Sequence, residues 1–266
     1  MSTLQALVMG LLQGVTEFLP VSSSGHLVIV PWLLGWPTAS LTFDTMVHWG
    51  TLVAVFVYFW QDVVFYVRAA VTSLARRSLD VPGARVAWAI AAGTVPGALA
   101  GALLEEQFEA LFQSPRAAAA FLLVTALVLA VSERLGKRQR KLASVTLLDG
   151  VLIGVGQALA ITPGLSRSGT TIATGLARGL ERDAAARFSF LLGIPLIFGA
   201  GLFKLKDVWD VTATHEPLSI LALGFVAAAV SGYLAIHSLL RYVRRHSLYV
   251  FAVYCAVFGL AVLVLT

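Results

Sequence analysis

Six stretches of the chain, near residues 43–60, 85–104, 117–132, 185–203, 218–240 and 247–265, are apolar and nearly free of charge. Each is close to the roughly 20 residues that a helix needs to cross a bilayer. Inside lipid the backbone must satisfy its own hydrogen bonds, and long apolar runs without alternation do so as helices. The reading is an all-α polytopic membrane protein with six transmembrane helices, one membrane domain spanning residues 1–266. Hydrophobic residues make up 58% of the chain and charged ones 12%, against about 45–50% and about 25% in soluble domains. A soluble globular protein is excluded.

The formal net charge of +5 could suggest nucleic acid. The basic residues sit in short loops beside the spans, however, where topology and anionic lipid headgroups account for them, so no nucleic-acid partner is expected. No Lys or Arg precedes Arg68, so the first apolar segment lacks the basic leader of a cleaved signal peptide and is expected to stay in the protein. The single cysteine, Cys255, cannot form an internal disulfide.

Two further apolar stretches are broken by polar, glycine-containing turns, and they superpose at a constant offset of 144 residues. Gly10 matches Gly154, Gln13 matches Gln157, Ser22 matches Ser166, Ser24 matches Ser168 and Gly25 matches Gly169. Each reads as helix, turn, helix, with Pro20 and Pro163 just before the turns. Residues 4–19 reach about 24 Å as helix and 24–35 about 18 Å, too short to span, which suits re-entrant hairpins. Three full spans follow each hairpin, so the second must enter from the opposite face. The expectation is an inverted-topology repeat, about 1–133 and about 147–266.

Basic loops around Arg68, Arg76 and Arg77, from Arg134 to Lys141, at Arg178 and Arg182, and from Arg241 to Arg245 all fall on one side, predicted to be cytoplasmic. The opposite loops carry Glu105, Glu106 and Glu109, or Lys204, Lys206, Asp207 and Asp210, so both termini are expected to face outward. No loop exceeds about 25 residues, which leaves any chemistry to membrane-embedded side chains.

The first turn reads QGVTEFLPVSSSGH from Gln13 to His26. A carboxylate here is costly, so Glu17 calls for a cation, a hydrated cavity or a hydrogen-bond partner, and serves as a general base or a divalent-cation ligand. Ser22 and Ser24 fit helix caps as well as substrate contacts. Ser23 lies close in sequence to both Glu17 and His26, the neighbours that a nucleophilic hydroxyl needs. The second turn reads PGLSRSGTT from Pro163 to Thr171. It puts the Arg167 guanidinium, a fork of donors suited to phosphate, at a hairpin tip where a helix N terminus adds its own positive end. Two half-helix N termini meeting inside a membrane favour an anionic substrate.

At these residues, Gln13-x-x-x-Glu17 with PVSSSGH and then PGLSRSG, the chain resembles the undecaprenyl-diphosphate phosphatase family of the bacitracin-resistance type, along essentially its whole length. The resemblance implies hydrolysis of the C55 isoprenyl diphosphate to the monophosphate carrier of cell-wall synthesis, with bacitracin resistance, in the bacterial cytoplasmic membrane. It implies a divalent cation, Mg²⁺ or Ca²⁺, with Glu17 as its protein ligand. Glu17, Ser23, His26 and Arg167 are then the catalytic positions, and Ser22, Ser24, Gly25, Ser166, Ser168, Gly169 and Thr171 line the substrate. Many relatives have glutamate where this chain has Gln13, which removes one anionic ligand.

The expected mechanism has Arg167 and backbone amides holding the diphosphate while Ser23 attacks the terminal phosphorus, with His26 as nucleophile or direct attack by water left open. Asp44 and His48 read as interfacial or packing residues, Asp149 as a first-turn acid, and Arg187 as an anchor at the cytoplasmic boundary. The competing reading is a transporter or flippase of an anionic lipid or small anion, the usual use of inverted repeats with broken helices. A homodimer is left open.

Overall fold

A computed structural model describes the chain except residues 110, 112, 113 and 210–215, and except the side chains of 105–109 and 205–209. The expected outward-loop charges Glu105, Glu106, Glu109, Lys206, Asp207 and Asp210 thus lie outside the described residues. The rest is helical: α1 (Thr3–Phe18), α2 (Ser23–Leu34), α3 (Leu41–Tyr58), α4 (Trp60–Arg76), α5 (Ala84–Glu109), α6 (Pro115–Leu135), α7 (Leu147–Leu159), α8 (Arg167–Ala177), α9 (Arg182–Trp209), α10 (Leu218–Val243) and α11 (Tyr249–Leu265). Five of the six predicted spans, α3, α5, α6, α9 and α10, contain apolar stretches long enough to cross a membrane. The sixth, α11, has 17 residues, at the lower limit of spanning length. The protein is a polytopic all-α membrane protein, and large apolar side chains cover its outside: Val264 is 86% exposed, Leu103 70% and Leu127 63%.

One element departs from the sequence reading. The segment after the first span, expected as a basic loop, folds as the amphipathic helix α4, which buries Ala69 and Ser73 and leaves Trp60, Val67, Val71 and Leu74 outside. A helical apolar stripe interrupted by Gln61, Asp62, Arg68 and Arg76 fails a search for continuous apolar runs. The same pattern suits a helix lying along the membrane surface.

The packing follows the repeat. α1 lies against α10 as α7 lies against α5, while α6 packs on α11 and α3 on α9. The contacts depend on missing side chains. A methyl group on Gly10 would sit 2.5 Å from Gly224 O, and one on Gly154, its counterpart, 2.2 Å from Gly93 O. Apolar side chains gain little from meeting one another in lipid, so close backbone approach through small residues supplies the association. The hairpins also start alike, since a capping box joins Ser2 to Gln5 at α1 and Thr146 to Asp149 at α7, again 144 residues apart.

The two hairpin mouths lie at opposite ends of α10. Met1 pairs with Glu216, just before α10. At the other end Arg244 binds Asp183, at the start of α9 just after α8, and Asp149, fully buried, binds Arg140 Nη2 at 2.6 Å and Arg178 Nε at 2.7 Å, tying the start of α7 to the end of α8. Beside it Glu133 receives both Arg182 Nε and Nη2 and the backbone N–H of Leu248, ahead of α11. Arg187 is held by Asp183 and lies over the Phe59 ring.

Gly10→Ala and Gly154→Ala should each lower stability by about 1–3 kcal/mol, the usual penalty of overpacking, read as a lower melting temperature in detergent. Unchanged melting of both variants would refute the close-approach account of the α1–α10 and α5–α7 contacts.

Candidate active site

The two turns are built alike. Ser22 caps α2 by accepting the N–H of Gly25 at 3.2 Å, and Ser166 caps α8 by accepting that of Gly169 at 3.0 Å. In each, the capping hydroxyl also pairs with the serine two residues on, Ser24 or Ser168, at 3.2 Å. These contacts satisfy amides left free at a helix start. The tips abut, because a methyl group on Gly25 would lie 3.0 Å from Gly164 Cα, and Ser168 Oγ donates to Leu19 O across the junction at 3.1 Å. Ser22 bends through the left-handed region at φ 72°, a strained backbone for a residue with a Cβ.

Placing a cap at Ser22 and another at Ser166 makes Ser23 and Arg167 the first residues of their helices. Both then point at one carboxylate. Ser23 Oγ donates to Glu17 Oε2 at 2.6 Å, and Arg167 Nη2 donates to Glu17 Oε1 at 2.8 Å. Gln13, one turn earlier on α1, donates from Nε2 to Oε2 at 3.1 Å. Glu17 is 6% exposed, and a buried charge of this kind persists only when paired and hydrogen-bonded. Two polar atoms of the group have no partner among the described residues, Arg167 Nη1 and Gln13 Oε1. The cluster therefore offers a free cationic donor and a free neutral oxygen beside an activated hydroxyl.

The other sequence-predicted residues divide. Ser22, Ser24, Gly25, Ser166, Ser168 and Gly169 form the two caps. Thr171 is buried with its hydroxyl on Arg167 O and Ser189 Oγ, behind Arg167. His26 is engaged elsewhere: Nδ1 meets Ser22 O and Nε2 meets the Tyr254 hydroxyl, both at 2.7 Å, with the ring stacked on Phe258. Two contributors lay beyond sequence reasoning. Thr125 on α6 fixes the second turn by donating to Gly164 O and accepting from Ser166 N, and Tyr254 on α11 holds His26. Thr125 and Tyr254 sit singly within apolar spans, and only the tertiary packing distinguishes them from ordinary helix residues.

Fold and site together define a helical membrane protein that holds a buried cluster of one carboxylate, one guanidinium and two helix N termini within its apolar body. The chain belongs to the family of the bacitracin resistance protein BacA, whose family model matches residues 6–261. It is 46% identical over 254 residues to the undecaprenyl-diphosphatase of Moorella thermoacetica, covering 96% of this chain and 94% of that one. It is also 45% identical over 264 residues to that of Geobacter sulfurreducens, covering 99% and 98%.

Thr125→Val keeps the shape and removes both bonds to the second turn. Leaving Gly164 O and Ser166 N unpaired should destabilise the protein by about 1–3 kcal/mol, seen in thermal unfolding, and displace Arg167 enough to lower turnover. Wild-type melting and turnover would show that the turn is held by other contacts.

Proposed function

We infer that the chain hydrolyses undecaprenyl diphosphate to undecaprenyl phosphate and inorganic phosphate, returning the lipid carrier to cell-wall synthesis and conferring resistance to bacitracin. The name borne by its relatives supports the activity. The observation that carries the mechanism is the convergence of Ser23 and Arg167, from hairpins 144 residues apart, on Glu17.

In this mechanism the unpaired Nη1 of Arg167 receives an oxygen of the terminal phosphate while Nη2 keeps its hold on Glu17. The N–H groups at the starts of α2 and α8 add positive potential at the same place. Ser23 Oγ attacks the terminal phosphorus and passes its proton to Glu17 Oε2. The bond from that phosphorus to the bridging oxygen breaks, and undecaprenyl phosphate leaves with the proton that Glu17 had taken up, so that Glu17 is again a carboxylate. Water deprotonated by Glu17 then attacks phosphoserine 23, releasing inorganic phosphate and restoring the hydroxyl. Phosphoryl transfer of this kind depends mainly on position and charge neutralisation. The bonds of His26 to Ser22 O and Tyr254 favour Ser23 over His26 as nucleophile and give the imidazole a part in orienting the α2 start.

A divalent cation, Mg²⁺ or Ca²⁺, is part of the proposal. Among the described residues no three His, Cys, Asp or Glu side chains converge. The free Gln13 Oε1 beside Glu17 nonetheless suits a hard cation that takes its remaining oxygens from substrate and water. Bound there, it would neutralise charge on the diphosphate. The same reading sets the protein in the bacterial cytoplasmic membrane as an inverted repeat, with the Asp149 and Glu133 ion-pair end cytoplasmic and both termini outward, in keeping with the basic loops.

Phosphate release from a polyprenyl diphosphate by protein purified in detergent tests the mechanism. Ser23→Ala, Glu17→Gln and Arg167→Ala should each lower kcat/KM by at least about 10²–10⁴-fold, the range for removing a positioned acid–base or oxyanion-binding group. Mass spectrometry of rapidly quenched reactions should find phosphate on Ser23, and a chelator should stop turnover until Mg²⁺ or Ca²⁺ returns. Full activity in all three variants rejects this site, and phosphate trapped on His26 reverses the choice of nucleophile.

A further inference from the structure

Gln157, on α7, is the counterpart of Gln13 one repeat later, yet it does not touch Glu17 and joins none of the contacts so far described. It is 1% exposed, and neither its Nε2 nor its Oε1 has a hydrogen-bond partner among the described residues. A primary amide with both ends unpaired is a heavy burden in an apolar interior, and one seldom kept for packing alone.

The position of that amide explains why it is kept. A methyl group on Gly97 of α5 would lie 3.2 Å from Gln157 Nε2 and 3.2 Å from Leu196 Cδ1 of α9. One turn earlier on α9, a methyl group on Gly193 would lie 2.2 Å from Arg167 Nη1, the guanidinium nitrogen that also has no partner. Both unpaired donors therefore border the same stretch of α9, Gly193 to Leu196, about 4.5 Å of helix rise. Each occupies space that a side chain on its neighbouring glycine would fill. Gln13 supplies the matching free oxygen on the Glu17 side. The unsatisfied groups thus come from both repeats, Gln13 from the first and Arg167 and Gln157 from the second.

We propose that Gln157 is a substrate-contacting residue whose Nε2 donates to a non-bridging oxygen of the diphosphate gripped by Arg167. This rests on the diphosphatase reading of the site and adds to it a neutral donor from the second repeat. An amide suits the place: it adds a directed hydrogen bond without a second fixed positive charge, so that the phosphate product is not held too tightly to leave.

Two variants test it, Gln157→Leu and Gln157→Glu, each also combined with Ser23→Ala so that binding can be read without turnover. With Gln157→Leu, KM for a polyprenyl diphosphate should rise roughly ten- to hundredfold with kcat little changed, as expected for losing one hydrogen bond to a charged group. The ligand-free protein should melt at the wild-type temperature or above it, because an unpaired amide has been replaced by a hydrocarbon. In the Ser23→Ala background the same change should abolish the rise in melting temperature that the polyprenyl diphosphate induces. Gln157→Glu should bind at least as poorly, since it sets a carboxylate against phosphate. A wild-type KM in Gln157→Leu, or a lowered melting temperature with binding intact, overturns the proposal in favour of a structural role. Wild-type affinity in Gln157→Glu overturns the donor assignment. If the parent protein releases no phosphate but the Ser23→Ala binding signal still requires Gln157, the contact stands and the hydrolytic reading fails.

Discussion

The structure turns on one ion pair. Glu17 and Arg167 come from hairpins whose mouths lie at opposite ends of α10, and they meet where neither could remain charged alone. In a low-dielectric interior an isolated carboxylate or guanidinium carries a large desolvation penalty, whereas a hydrogen-bonded pair largely cancels it. Their meeting makes each hairpin a condition for the other. It also explains the density of small residues around them, since the backbones of Gly25 and Gly164 can touch only where side chains are absent. The far end of the second hairpin is fixed by a different ion cluster, in which Asp149 ties Arg140 and Arg178 together. Tip and base of that hairpin are thus both set by buried carboxylates.

Repetition supplied the frame and divergence supplied the chemistry. Capping boxes, serine caps and serine pairs recur at the same offset in both halves with nearly the same distances. The residues that follow the caps have diverged: Ser23 and Arg167 occupy equivalent first positions of α2 and α8. One half presents a hydroxyl and the other a cation, and both reach the single Glu17. A symmetric dimer of hairpins would place two identical groups about its axis. Fusing the halves into one chain allows unlike groups to face each other, which phosphoryl transfer requires of a nucleophile and a charge-neutralising partner.

Much of this was legible in the sequence because the bilayer imposes strong rules. Length and hydropathy located the spans, and the start of each helix of the first hairpin was read within a residue of its place, since Thr3–Phe18 and Ser23–Leu34 stand for 4–19 and 24–35. Glu17 and Arg167 were conspicuous because charge is rare in such segments, and Ser23 because it follows a carboxylate. What escaped was set by tertiary contact. The stripe on α4 has the wrong period for a search based on continuous runs. Thr125 and Tyr254 are single polar residues in apolar spans. Sequence proximity alone did not fix the place of His26: it lies three residues after Ser23, yet its ring is held by Ser22 O, the Tyr254 hydroxyl and Phe258 and not by Glu17.

The same rules indicate how such a site can bind a lipid diphosphate at all. Water cannot compete for the cluster as it would on a soluble surface, so the unpaired Nη1 of Arg167 is a strong attractant for a phosphate oxygen. Glu17 limits that attraction. By holding Nη2, it aims the guanidinium and halves its free donor fork, and its negative charge opposes a second anion nearby. Substrate binding must therefore add positive charge or share the guanidinium, and the divalent cation proposed above, held by Gln13 and Glu17, would supply that charge. After hydrolysis the balance reverses, because inorganic phosphate has lost its lipid anchor. In the proposed mechanism, tension between Arg167 and its own buried carboxylate would let one cluster bind a diphosphate tightly enough to react and its product loosely enough to leave.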